Sequence, residues 1–364
     1  MTSPVAHPRL VSLVREAKGW SQQDLAQAAH LSQGFISKVE SGLLDLRGDH
    51  LTAVASALKC LPELLIDDTP VQGLEITCLH HRRRHSKMTA ATKRRIEAIT
   101  HLTRISVEGL LHGIEIVPEA RLERLDIDEF DDPVAVAREL RIRWRVPSGP
   151  IDNVVALLEA VGVIVVVRPL GTGAQDAVST WPHDRDRAPV MVINSGLAGE
   201  RQRFTTCHEA GHLVMHSVPG EDQEREADVF ASEFLAPAED IGPELAGLTT
   251  ADFPRLMQLK TQWGMSIAAL IRRAYDLELI SERQYREFQS KLGRLGWRTV
   301  EPGTLPAETP QTLQSVIGVH IAEHKYSIHD LARAAVMTDD AFTRNFLPRQ
   351  SHDSPPTPLR LVQS

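Results

Sequence analysis

Short blocks of apolar residues at helical spacing open the chain, each bounded by its own start and stop signals. Arg9 to Lys18 predicts a first helix, closed by Gly19. Ser21 is an N-cap for Gln22 to Ala29, and Asp24, three residues on, completes a capping-box pattern. His30-Leu31 is a tight turn, Ser32 caps Gln33 to Ser41, and Gly42 ends that helix. A further helix runs about His50 to Lys59, and Leu61-Pro62-Glu63-Leu64-Leu65 starts a last short one. Leu25, Ala26, Ala29, Ile36 and Val39 face inward from two helices joined by a short turn, which makes a helix-turn-helix.

The pattern then lengthens. Ile96, Ile99, Leu102, Ile105, Leu110 and Leu111 hold helical spacing over 89–115, a helical connector. Asp126 to Asp132 reads as an acidic loop, and Pro133 opens a helix to Arg141. After the Pro147-Ser-Gly-Pro150 turn comes a helix from Asn153 to Ala160. The β-branched run Val161-Gly-Val-Ile-Val-Val-Val167 is a strand, Pro189 to Asn194 another, and Ser179-Thr-Trp181 a third between them. Phe204 to His216 has no proline and helical apolar spacing, and Pro219-Gly220 ends it. Pro302, Pro306 and Pro310 read as a linker. Gln311 to Asn345 is helical, and within it Ile328 to Ala335 echoes a second helix-turn-helix; the segment is read as an interaction segment. Residues 349–364, with Pro355, Pro356 and Pro358 in a polar setting, read as disordered.

The expected fold class is therefore α-rich, α+β. It comprises an all-α helix-turn-helix domain over 1–70, a helical connector over 71–145, and a domain with a small β-sheet over 146–300. A linker, helical segment and tail fill 301–364.

Composition narrows the class. The hydrophobic fraction of 42% and charged fraction of 24% are ordinary for a globular protein. No apolar run reaches membrane-spanning length, and the N-terminus has no charged-then-apolar signal, so no membrane partner is expected. Cys60, Cys78 and Cys207 are odd in number without CxxC spacing, which points to a reduced, cytoplasmic setting. Charge is uneven: residues 1–110 hold 14 Lys/Arg against 11 Asp/Glu, and the remainder 26 against 37. Any surface for double-stranded operator DNA thus belongs at the N-terminal end. There the helix from Gln33 would enter the major groove, with Gln33, Gly34, Ser37 and Lys38 outward and Gln22 and Gln23 placed for phosphates. One short recognition helix reads few bases, so a homodimer is expected. The basic runs His80 to His85 and Lys93 to Arg95 could track the DNA backbone or be a solvated linker.

Residues 208 to 212 read His-Glu-Ala-Gly-His. Two histidines at i and i+4 of a helix share one face, about 6 Å apart along the axis, and both imidazoles can reach one ion. Glu209 between them can reach a water on that ion, as in zinc hydrolases with Glu as general base. A catalytic site needs a third protein ligand. His216 lies about 12 Å from His208 along the axis, too far for bonds of about 2 Å. Met215 and Val218 stand where the extended metzincin pattern has Gly and His, which removes that class. Glu224 remains, at the start of a second helix, with Asp228 one turn later to orient a ligating histidine. Glu226 faces away from Glu224 and ranks lower, and Cys207 is read as a small core residue.

Trp20-Ser-Gln-Gln-Asp-Leu-Ala and Leu31-Ser-Gln-Gly-Phe-Ile-Ser-Lys-Val-Glu-Ser-Gly42 resemble the phage-repressor (XRE, Cro/C1-type) helix-turn-helix across most of 9–66. Arg203 to His212, Glu224 to Ala231 and Phe234-Leu-Ala-Pro237 resemble the ImmA/IrrE zinc metallopeptidases, as do Trp263 to Ala274 and Gly296-Trp-Arg298. Cys207 and Ala210 depart from the Ala and Leu usual in that group, and Asp176-Ala-Val-Ser179 has Ala where Gly is common. The resemblance implies a zincin-like metallopeptidase domain built on the HExxH helix. It also implies zinc on His208, His212 and Glu224, Glu209 as catalytic base, and a repressor-type protein substrate. A regulator with a built-in endopeptidase follows, controlling stress, mobile-element or toxin–antitoxin genes. The alternative is a non-proteolytic repressor whose zinc domain senses a ligand or partner.

Overall fold

The computed structural model describes residues 4–66, 88–125, 127–130, 132–182, 187–216, 220–347 and 361–362. The run His80 to His85, Cys78, the Pro219 half of the Pro-Gly turn and nearly all of the C-terminal tail lie outside the described residues.

Five helices open the chain: α1 (Pro8–Ala17), α2 (Gln22–Ala28), α3 (Gln33–Glu40), α4 (Gly48–Leu58) and α5 (Pro62–Ile66). Ser21 accepts from the Asp24 backbone N–H while the Asp24 side chain accepts from the Ser21 N–H, the reciprocal box that starts α2. Ser32 caps α3 through Phe35 N–H. Leu10, Leu25, Ile36, Val54 and Leu65 form the core of this unit, which Ala98 and Ile105 of α6 (Ala90–Leu111) complete. The first unit therefore rests on the connector helix.

After α6 come β1 (Glu115–Ile116), α7 (Ile127–Phe130), α8 (Pro133–Arg143), α9 (Val154–Ala160), β2 (Ile164–Arg168), β3 (Ala177–Thr180) and β4 (Val190–Asn194). The acidic stretch read as a loop holds the short α7, and Asp132 caps α8 at Ala135 N–H. The strand expected from Val161 begins only at Ile164, because Gly162 turns the chain at φ 94°. The sheet order is β2-β4-β3, with β2 parallel and β3 antiparallel to β4.

Both faces of this sheet are covered, which explains its unbroken apolar runs. Val165, Ala177, Met191 and Ile193 face a core built with α10 (Gly199–Met215), α11 (Gln223–Leu235), α12 (Ala238–Leu245), α13 (Phe253–Trp263), α14 (Ile267–Asp276) and α15 (Glu282–Arg294). Ile164, Val166, Val178, Val190 and Val192 face α6 and the C-terminal helices α16 (Thr312–Ala322), α17 (Ile328–Ala334) and α18 (Asp339–Phe346). β5 (Leu361–Val362) pairs with β1. α16–α18 thus pack inward through Val316, Ile317, Leu331 and Phe342 as part of a core. The proline-marked stretch before them forms no helix or strand, yet it is held down. Glu301 accepts from the N–H groups of Ile267 and Ala268, and Glu308 pairs with Arg203. Among the described residues no helix is long and apolar enough to cross a membrane.

Candidate metal centre

α10 runs through the core and α11 crosses it closely. Gly211 permits this: a Cβ there would lie 2.9 Å from Phe230 Cδ1 and 3.4 Å from Ala227 Cα. The glycine inside His-Glu-Ala-Gly-His therefore lets α11 bring its acidic first turn onto the histidine face of α10. His208 and His212 are buried and Glu209 is 2% exposed.

His208, His212 and Glu224 each offer one ligand atom, all within 4.8 Å of one another. His208 Nε2 and His212 Nε2 are 3.1 Å apart. Glu224 Oε1 is 3.3 Å from His212 Nε2, and Oε2 is 3.9 Å from His208 Nε2. Bonds of about 2.0–2.1 Å in a tetrahedral shell put ligand atoms roughly 3.3 Å apart, so this set fits one zinc-sized ion. The donor chemistry agrees. His208 Nδ1 is 2.8 Å from Asp228 Oδ1, which accepts only if that nitrogen carries the proton and leaves Nε2 as a lone pair. Two imidazole lone pairs converging at 3.1 Å repel unless a proton or cation lies between them. Burial works to lower the His208 pKa, but the hydrogen bond to Asp228 and the charges of Glu209, Asp228 and Glu224 raise it above the ordinary imidazole range. The site favours positive charge.

Three further residues, which the sequence pattern gives no role, surround this set. His216 is no ligand candidate, in keeping with its distance along the helix, but its Nδ1 lies 2.9 Å from His212 Nδ1. Its Nε2 lies 3.0 Å from Glu226 Oε2. The tautomers that suit a metal on His212 Nε2 satisfy the whole chain. His212 Nδ1–H donates to His216 Nδ1, and His216 Nε2–H donates to Glu226. Both histidines of the pair are thus backed by a carboxylate of α11, one directly and one through an imidazole. From β3, Ser179 Oγ donates to Glu209 Oε2 at 2.8 Å. No spacing in the sequence points to Ser179, which reaches Glu209 from another element. Cys207 is buried in the core and burial pushes its thiol pKa up, so it is chemically quiet.

A groove of about 1430 Å³ passes His208 and Glu224. Phe204, Met265, Ala268, Ala269, Trp297 and Val300 line it, with Asp176, Arg201, Glu221, Asp222 and Arg298 at polar positions. Glu301 and Thr304 contribute a wall from the held-down segment before α16.

At the N-terminal unit Gln23, Gln33, Gly34 and Lys38 are exposed, and Gln22 and Ser37 are half-buried. Gln22 is less free than expected: its Nε2 donates to Glu40 Oε2 at 2.9 Å, and its Oε1 accepts from Gln33 Nε2 at 2.9 Å. Arg15 holds Glu40 with Nε 2.6 Å and Nη2 2.9 Å from its two oxygens. This polar chain fixes the start of α2 against α3.

Residues 12–65 match the helix-turn-helix family model, and residues 158–275 match the IrrE N-terminal-like domain of the M78 peptidases. The chain is a regulator-type fusion of a DNA-binding helix-turn-helix to a protease-like domain. That second part is a metallopeptidase-type domain of the IrrE kind, and its matched span contains Ser179, His208, Glu209, His212, His216 and Glu224. No curated protein matches the chain.

Proposed function

We propose that this chain is a transcriptional regulator that binds operator DNA as a homodimer and carries a zinc-dependent endopeptidase for a repressor-type protein, in trans or on its own chain. It would act in the cytoplasm, controlling stress, mobile-element or toxin–antitoxin genes. The convergence of His208, His212 and Glu224 next to buried Glu209 in the chain, with His208 and Glu224 lining an open groove, carries this reading. His208, His212 and Glu224 would hold the ion, and Asp228 would orient His208. Bound zinc supplies Lewis acidity to water and to the scissile carbonyl. Ser179 holds Glu209 Oε2, leaving Oε1 to take a proton from the attacking water and pass it to the leaving amine. The groove accepts an extended peptide with apolar side chains against Phe204 and Trp297. Co-expression with helix-turn-helix repressors tests the reading: wild type depletes its substrate and Glu209→Gln does not.

Zinc affinity should also depend on the residues behind the ligands. Asp228→Asn is expected to weaken zinc binding about 10- to 100-fold, the usual cost of losing a partner behind a ligand, and Glu226→Gln, one imidazole further out, by a smaller factor. Competition with a chromogenic chelator measures this. Unchanged zinc affinity in Glu226→Gln would reduce the His216–Glu226 pair to packing.

For the DNA side, Lys38→Ala in the full chain is expected to weaken duplex binding and flatten the salt dependence by about one unit of log–log slope. Fluorescence anisotropy across a salt series reads both. A wild-type chain indifferent to duplex DNA at low salt would make the N-terminal unit a protein-binding module.

A further inference from the structure

The N-terminal helix-turn-helix has a counterpart at the other end of the chain. α17 and α18 repeat α2 and α3 at one constant offset, and α16 (11 residues) stands in the place of α1 (10 residues). α2 and α17 each have 7 residues, and α3 and α18 each have 8. The capping box of Ser21 and Asp24 recurs as Ser327 and Asp330. His30 (φ 56°) and Val336 (φ 53°) hold the same turn position, and Ser32 and Thr338 cap the next helix. Before the first helix of each pair, Gly19 (φ 72°) corresponds to Lys325 (φ 57°), and Trp20 to Tyr326. Leu25, Ala26 and Ala29 correspond to Leu331, Ala332 and Ala335, all buried. A β-branched residue is costly in the left-handed region. Val336 stands there because this turn demands it.

The two units differ around Gln22, proposed for phosphate contact, and at the leading end of the recognition helix. Arg15, Gln22 and Glu40, joined in polar contacts, correspond to Ile321, Ile328 and Phe346. Ile321 is 49% and Ile328 47% exposed. Gln33 and Gly34, at the leading end of the recognition helix, correspond to Asp339 and Asp340, both exposed. Two carboxylates there would meet phosphate with like charge.

We infer that α16–α18 are a second helix-turn-helix unit whose DNA side has become a docking face for a second copy of this chain, through Ile321, Ile328 and the outer side of α18. The inference rests on the reading of α3 as a DNA-reading helix. Such a helix works in two-fold pairs over two half-sites. α18 cannot supply the second reader, so a second chain must. The face suits two-fold symmetry: apolar Ile321 and Ile328 are self-complementary. Asp340 and Arg344, exposed and four residues apart on one side of α18, pair reciprocally when two such helices meet antiparallel. Asp340 of one protomer then faces Arg344 of the partner subunit. Because α17 packs on α6 and Arg333 pairs with Glu63 of α5 at 2.9 Å, this dimer would set the distance between the two α3 helices.

Sedimentation equilibrium of the full chain tests it. Wild type is expected to dimerise, and the double variant Ile321→Glu/Ile328→Glu to raise the dimer dissociation constant at least tenfold with an unchanged circular dichroism spectrum. Asp340→Arg alone should weaken the dimer similarly, and adding Arg344→Asp should restore it, an outcome that misfolding cannot mimic. A monomeric wild type, wild-type dimerisation in the isoleucine double variant, or no rescue by the charge swap overturns the inference. So does a loss of affinity for a short mixed-sequence duplex when Arg344→Asp is placed in the monomeric double variant, since α18 would then read DNA. Lys38→Ala should keep the dimer while weakening DNA binding. A wild type that dimerises as described yet ignores DNA supports this face and removes the DNA reading alone.

Discussion

Alanine at His208 or His212 is expected to abolish zinc binding at the candidate metal centre. Purified wild-type protein should carry about one zinc per chain, and either variant should carry none, even after reconstitution. The effect should exceed the roughly 10- to 100-fold cost of losing an outer partner, because each substitution removes one of three ligand atoms lying within 4.8 Å of one another. It should appear in stability as well. An ion that binds only the folded chain stabilises it by about 4 kcal/mol when present at 1,000 times its dissociation constant. Zinc should therefore raise the melting temperature of the wild type and leave the His212→Ala variant where it was. Elemental analysis that finds no first-row metal in reconstituted wild type would remove the metal centre, and the enzyme reading with it.

Legibility of this fold in its sequence has a physical boundary. Local grammar carried far: the Ser21–Asp24 box, the cap at Ser32 and the i,i+4 histidines are encoded within a few residues, and each is present in the structure. Glu224 could be reached by elimination because it opens the very next helix, and it does lie beside both histidines. Ser179 could not. It sits on β3 and meets Glu209 across a tertiary contact that no spacing reports. Glu226 faces away from Glu224 by its spacing, and that orientation carries it to His216. The C-terminal helices show the same limit differently. Their periodicity predicted helices, but only the packing shows Val316, Leu331 and Phe342 closing the outer face of the sheet. The stretch with Pro302, Pro306 and Pro310 reads locally as a linker. Its anchors, Glu301 on the start of α14 and Glu308 on Arg203, are partners distant in sequence.

Glu209→Gln should separate chemistry from architecture. Glu209 offers no ligand atom to the candidate cluster, so zinc content should match wild type. The amide fills nearly the same volume in a 2% exposed position and can still accept from Ser179 Oγ through its carbonyl oxygen, so the fold should hold. DNA binding should be unchanged, because α2 and α3 belong to a separate core. The amide has no basic lone pair for the attacking water's proton, so cleavage should slow by about 10² to 10⁴, the usual contribution of a general base. Ser179→Ala should give a smaller loss with zinc retained, since it frees a carboxylate oxygen without removing the base. The measurement pairs intact-substrate levels with target-gene expression for wild type and Glu209→Gln, each co-expressed with candidate helix-turn-helix repressors. Wild type alone should deplete its substrate and derepress the target. Equal derepression by both proteins, with zinc in place, would assign the metal domain to sensing and leave the helix-turn-helix as the acting part.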